Sequence, residues 1–153
     1  MRDFTAKLLS TFFYTGYLPF MPGTFGSAAG LLLFYFCKGN VTIHIAAALS
    51  LITLGLMVSG RAEVLFRKND APRIVIDEAA GMLVSLLFVP YDLRLAVTAF
   101  ILFRAFDILK PFPIRKLQGL RGGIGIMSDD IAAGVYSNVL IQIFLRLASF
   151  KAS

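Results

Sequence analysis

VTIHIAAALSLITLGLMVSG, residues 41–60, is a run of 20 residues without a formal charge. As a helix it would extend about 30 Å, enough to cross the hydrocarbon of a bilayer. IAAGVYSNVLIQIFLRLASF (131–150) is nearly its equal, with Arg146 placed to snorkel near its end. Three shorter apolar stretches lie at 28–37, 79–89 and 93–106. The pattern predicts an all-α fold, a polytopic membrane bundle that mixes long helices with short ones. No internal repeat or low-complexity linker divides the chain, so residues 1–153 read as a single domain.

Composition agrees. Apolar residues make up 58% of the 153 residues and charged residues 16%, against about a quarter charged in soluble domains. Mean hydropathy is +0.78. The net charge of +6 could suggest nucleic acid, but the basic residues flank apolar stretches instead of lining a polar face. That pattern fits anionic lipid headgroups and argues against nucleic acid as a partner. Cys37 has no second cysteine to pair with and reads as packing. His44 is the only histidine, which excludes a two-histidine site and makes a histidine-based relay improbable. Residues 1–22 do not read as a cleavable leader, because Gly16, Pro19 and Pro22 interrupt the apolar run and a second hydrophobic segment follows directly.

The stretches 79–89 and 93–106 are separated by Val-Pro-Tyr-Asp (89–92), a breaker that predicts a helical hairpin. With that hairpin, three basic regions share one side: Arg2 and Lys7, then Arg61, Arg67, Lys68 and Arg73, then Arg104, Lys110, Arg115, Lys116 and Arg121. Charge bias makes that side cytoplasmic. A single kinked helix over 79–106 would instead hold Asp77 about 45 Å from Asp107.

The distance matters because of where the acids fall. Five of the nine acidic residues sit in three motifs: Asp77 and Glu78 in IVIDEAAG (74–81), Asp107 in FRAFDILKPFPIR (103–115), and Asp129 and Asp130 in GGIGIMSDDIAAG (122–134). Ionisable groups beside hydrocarbon are expensive and are functional candidates. Carboxylates gathered beside cations suggest a Mg²⁺ site that handles phosphate. Asp77 also fits a helix N-cap. Asp129 and Asp130 fit the start of a helix after a glycine-rich loop at Gly122, Gly123 and Gly125, where they either cap or coordinate a metal. Gly81 leaves room for a helix or a headgroup, and Gly134 is expected to keep the surface open. Arg104, Asp107 and Lys110 recur every three residues and share a helix face. Pro111 is expected to end that helix and aim Lys110 outward. In PGTFGS (22–27), Thr24 and Ser27 offer hydroxyls at a turn into a helix, a weak phosphate-binding signal that lacks a Lys-Ser/Thr ending. Gly26 and Gly30 in the same region fit close helix packing more readily.

Taken together, PGTFGS, IDEAAGM, FRAFDILKPFPIR and GGIGIMSDDIAAG resemble the signature blocks of the phosphatidylglycerophosphatase A family, in family order over about residues 19–135. The resemblance implies an all-helical fold and Mg²⁺-dependent hydrolysis of phosphatidylglycerophosphate to phosphatidylglycerol and phosphate at the bacterial cytoplasmic membrane. Family members often carry an Asp-Arg pair where this chain has Leu117 and Gln118, which weakens a catalytic role there. On this reading Asp77, Glu78, Asp107, Asp129 and Asp130 are the candidate metal ligands. Asp107, Lys110, Asp129 and Asp130 carry catalysis, and Thr24, Ser27, Arg104, Lys110 and Arg115 contact substrate. The sequence leaves open attack by water and an aspartyl-phosphate intermediate, and favours water because no acid stands out as a desolvated nucleophile. The rival is a small cation- or proton-coupled transporter, whose acids should line a cavity near the bilayer midplane.

Overall fold

The computed structural model describes residues 3–151, and every regular element among them is helical. α1 (Asp3–Ser10) leads through a single turn at Thr15–Tyr17 into α2 (Pro22–Phe36), followed by α3 (Val41–Phe66), α4 (Ile76–Ser85), α5 (Leu93–Leu109), the one-turn α6 (Ile114–Leu117) and α7 (Gly123–Lys151). Local chemistry sets the boundaries. Asn40 caps α3 by accepting from the Ile43 amide at 3.1 Å, and Asp92 caps α5 by accepting from the Arg94 and Leu95 amides at 2.8 and 3.0 Å. The breaker at 89–92 therefore supplies both the turn and the cap of the next helix. α5 ends at Leu109 because Pro111 disfavours helical geometry at Lys110, which takes a left-handed φ of 44°.

α4 sits at the centre, packed against α2, α3, α5 and α7. All of its ten residues are buried except Glu78, which is half-buried. Met82, Leu83 and Leu86 pack with Phe103 and Ala133, while Ile76 and Ala80 pack with Val58 and Met127. At about 15 Å, α4 is too short to cross a bilayer alone.

The crossing of α4 and α7 depends on two glycines that face each other. A methyl group added at Gly81 would lie 2.6 Å from the Asp130 carbonyl and 2.7 Å from the Phe103 ring, and one at Gly134 would meet the Gly81 carbonyl. Gly134 thus lets two backbones touch and does not keep a surface open, as the sequence had suggested. Gly26 and Gly30 do pack closely, against Val75 and Ala79. Gly81→Ala should cost about 1–3 kcal/mol through overpacking. Thermal unfolding in detergent checks this, and an unchanged midpoint would contradict so tight a crossing.

Two helices are long and apolar enough to cross a membrane: Val41–Phe66 and, within α7, Gly123–Ser149. Their outward faces carry Leu49, Met57, Val64, Phe144 and Leu147, all exposed. At the far end of α4 the freed carbonyls find side-chain donors. Asn138 Nδ2 donates to the Ser85 and Leu87 carbonyls at 3.1 and 2.7 Å, and Gln142 Nε2 donates to that of Phe88 at 3.2 Å. His44 Nε2 bonds the Leu83 carbonyl at 2.9 Å. In apolar surroundings such groups are costly when unpaired, so these residues let α4 stop early.

The glycine-rich loop expected before the last helix is shorter than its sequence suggests. α7 already begins at Gly123, so Gly125 is helical and only Gly122, with φ of 63°, keeps a left-handed turn. The connections 67–75 and 110–122 lie at one end of the bundle, with α1 and the start of α2. Arg61 on α3 bonds Asp3 at 2.8 Å there, and the Arg73 guanidinium stacks over the Tyr17 ring. The hairpin therefore folds back as the breaker predicts, and the basic regions meet at one end, with Lys7 over the Phe66 ring and Arg2 outside the described residues.

Candidate active site

At that end, carboxylates from α4, α5 and α7 converge on a cavity of about 180 Å³. Asp77 does not cap α4. Val75 occupies the capping position, held by its amide bonding the Ser10 carbonyl at 2.9 Å. The Asp77 side chain instead lines the cavity, and its Oδ1 is buried without a hydrogen-bond partner, as is Glu78 Oε2. Asp129 and Asp130 likewise are not at a helix start, since α7 begins six and seven residues earlier. Capping therefore explains neither pair.

The five acids divide into two sets. Asp77, Glu78 and Asp130 each bring an oxygen within 4.8 Å of the others. Asp107 and Asp129 hold cations: Arg104 Nη1 donates to Asp107 Oδ2 at 2.5 Å, and Lys110 Nζ donates to Asp129 Oδ2 while standing 3.9 Å from Asp107 Oδ1. Lys110 is therefore not aimed outward. The left-handed turn that ends α5 swings its side chain across to α7.

Electrostatics sharpen this division. Burial, then the neighbouring Glu78 charge, pushes the Asp77 carboxyl well above its ordinary range. Burial also raises Glu78 to about 7, against the pull of its contact with Asp77 and of the Arg104 charge. At Lys110 burial works to lower the pKa, but the Asp129 bond and the charges of Asp129, Asp130 and Asp107 hold it above the ordinary value. Lys110 and Arg104 are thus outnumbered by the six acids that line the cavity, Asp70 among them. The orphaned oxygens and the all-carboxylate donor set of Asp77, Glu78 and Asp130 have the chemistry that could hold a small hard cation.

A pH prediction follows from Glu78. Its folded pKa of about 7 lies above the ordinary 4.5, so between those values the folded protein binds more protons than the unfolded chain. Stability of the metal-free protein should therefore fall as pH rises through that window. Adding Mg²⁺ should flatten the slope, because a cation replaces the proton. Unfolding midpoints across pH, with and without Mg²⁺, test this, and a slope that Mg²⁺ leaves unchanged would remove the ion from these three carboxylates.

The remaining candidates stand apart. Ser27 is fully buried, and its hydroxyl donates to the Gly23 carbonyl at 2.8 Å, so it is not presented to the cavity. The Thr24 hydroxyl is buried and unpartnered, but both residues lie inside α2 and not on a turn. What PGTFGS contributes is clearance: a side chain at Gly23 would collide with Glu78 and crowd Arg104. Arg115 is exposed on α6 and does not line the cavity. Asp70 does line it, and the sequence reading missed it. A lone acid in the basic loop KNDAPR (68–73) carries no pattern of its own. Elsewhere, a cavity of about 300 Å³ lies beyond the far end of α4, between His44 and Tyr91, and no carboxylate lines it.

Comparison with known proteins gives the family. A family profile described as phosphatidylglycerophosphatase A matches residues 8–145. A protein of Bacteroides thetaiotaomicron named "Putative phosphatidylinositol-3-phosphatase" is 36% identical over 92% of this chain and 94% of its own length. Proteins named phosphatidylglycerophosphatase A from Haemophilus influenzae and Escherichia coli are 35% and 34% identical, over 88% and 85% of this chain and 85% and 77% of theirs. No solved structure matches. With its four sequence blocks converging on one acidic end, the chain belongs to the phosphatidylglycerophosphatase A family.

Proposed function

We propose that this protein hydrolyses phosphatidylglycerophosphate to phosphatidylglycerol and phosphate, at the cytoplasmic face of a bacterial inner membrane that it crosses more than once. The observation that carries the reading is the meeting of Lys110 with carboxylates from α4, α5 and α7 in one cavity at the basic end of the bundle. A transporter would keep its acids midway along the helices, whereas Asp77 and Asp107 lie at the ends of theirs and Asp129 and Asp130 within about two turns of the start of α7.

Asp77, Glu78 and Asp130 would hold Mg²⁺, which supplies charge to polarise the phosphoryl group. The chain's own residues do the rest. Lys110, held by Asp129, neutralises charge that spreads over the phosphoryl oxygens, and Arg104, held by Asp107, adds a second cation. Water attacks phosphorus, the ester P–O bond breaks, and a proton ends on the glycerol oxygen that leaves. The excess of lysine and arginine at this end favours a cytoplasmic site. Labelling of Asn69→Cys and Lys38→Cys in a Cys37→Ser background checks that orientation, since both reacting from the same side would refute it.

The deciding experiment measures phosphate release by purified protein from phosphatidylglycerophosphate in micelles, with Mg²⁺ and with a chelator. Release that the chelator leaves unchanged would remove the metal. Hydrolysis of phosphatidylinositol 3-phosphate alone would move the substrate to the one in the Bacteroides relative's name.

A further inference from the structure

Beside the acidic cavity lies a second one of about 480 Å³, lined by Glu63, Asn69, Asp70, Gln118 and Arg121 among others. Asp70 lines both. It is fixed from two sides: its amide donates to Glu63 Oε1 at 2.9 Å, and its Oδ2 accepts from Gln118 Nε2 at 2.9 Å. Its φ of 46° places it in the left-handed region, a conformation those two bonds help to hold. Asp70 is thus a shared wall, braced between the α3–α4 and α6–α7 connections.

The two cavities differ in kind. At about 180 Å³ the acidic cavity is below the ordinary range for ligand sites, roughly 300–1,000 Å³, while its neighbour falls within it. The first has carboxylates and one lysine. The second has amides from Asn69 and Gln118, carboxylates from Glu63 and Asp70, and one guanidinium. Amides and carboxylates are the groups that satisfy hydroxyls, and a guanidinium is suited to a phosphate diester. Among the described residues Arg121 makes no ion pair, so its charge is available.

We propose that the cavity bounded by Asp70, Gln118 and Arg121 is a headgroup subsite: it takes the polyol behind the reacting phosphate, with Arg121 on the phosphodiester that joins the polyol to the lipid. It thereby selects which polyol-phosphate lipid is hydrolysed. The proposal rests on the reading of the acidic cavity as a phosphomonoester site.

The test compares kcat and KM for short-chain phosphatidylglycerophosphate with those for glycerol 3-phosphate, which has the monoester and the glycerol but no phosphodiester. Arg121→Gln should raise KM for the lipid about tenfold or more with kcat within about twofold, as expected from losing a hydrogen bond to a charged group. Selectivity for the lipid over glycerol 3-phosphate should fall about tenfold, and Arg121→Lys should recover part of it. Gln118→Ala, with its unfolding midpoint measured alongside, should instead raise KM for both substrates alike, because both carry the glycerol that its amide would meet. Equal losses on both substrates from Arg121→Gln, or none, would overturn the subsite. Should the wild type hydrolyse neither, the proposed function fails, and equilibrium binding of the same short-chain lipid decides the subsite. Weakening of about tenfold by Arg121→Gln supports it, whereas unchanged binding, or no binding by the wild type, overturns it.

Discussion

Asp130→Asn is expected to lower turnover at least about a hundredfold while the protein still folds. The replacement keeps the shape of the side chain and removes one of the three carboxylates gathered within 4.8 Å. Oriented charge in such a site commonly supplies several kcal/mol of barrier lowering. Asp130 lies inside α7, so no helix cap is lost with it. A second readout separates function from structure. Asp77 and Asp130 are both buried, with like charges around them, so removing one charge should leave the metal-free protein as stable as before or more so. Asp129→Asn and Asp107→Asn should also lose at least about a hundredfold, by releasing Lys110 and Arg104 from their geometry. Near-normal turnover in any of the three would remove that residue from the site.

Lys110→Met should greatly lower kcat/KM for the lipid and leave Mg²⁺ binding largely intact. Its ammonium reaches Asp129 from the end of α5 and does not belong to the trio assigned to the metal. If it only tied α5 to α7, its loss would leave the buried Asp129 unpaired and cost about 3–5 kcal/mol of stability, while turnover of the protein that folds would stay within a few fold. Lys110→Arg should recover activity only in part, because a planar guanidinium does not fill the place of a compact ammonium. Isothermal titration with Mg²⁺ beside steady-state kinetics distinguishes the outcomes. Loss of both binding and turnover would make Lys110 a support of the metal site instead of a phosphate contact.

Much of this was legible in the sequence, for reasons specific to its residues. The uncharged run at 41–60 and the breaker at 89–92 report on local physics, hydrophobic length and turn chemistry, and the structure reproduces both. The convergence of Asp77 with Asp107 followed from the hairpin alone. What the sequence hid was long-range. Whether Asp129 binds a cation or caps a helix depends on where α7 begins, and glycines at 123 and 125 disguised that start as a loop. The direction of Lys110 depends on a left-handed turn whose partner lies 19 residues away. Ser27 looked like a phosphate donor because its hydroxyl is visible in a sequence while the Gly23 carbonyl that takes it is not. Asp70 acquires its place only from Glu63 and Gln118.

The turn after α4 has a consequence for how the chain is made. The Ser85, Leu87 and Phe88 carbonyls wait for donors at Asn138 and Gln142, more than fifty residues later in synthesis. Until the last helix emerges from the ribosome, the centre of the bundle holds an unfinished hairpin with bare backbone oxygens. The order of translation thus makes α7 the piece that completes this hairpin, and the acids on α4 and α7 come together only as that piece is set.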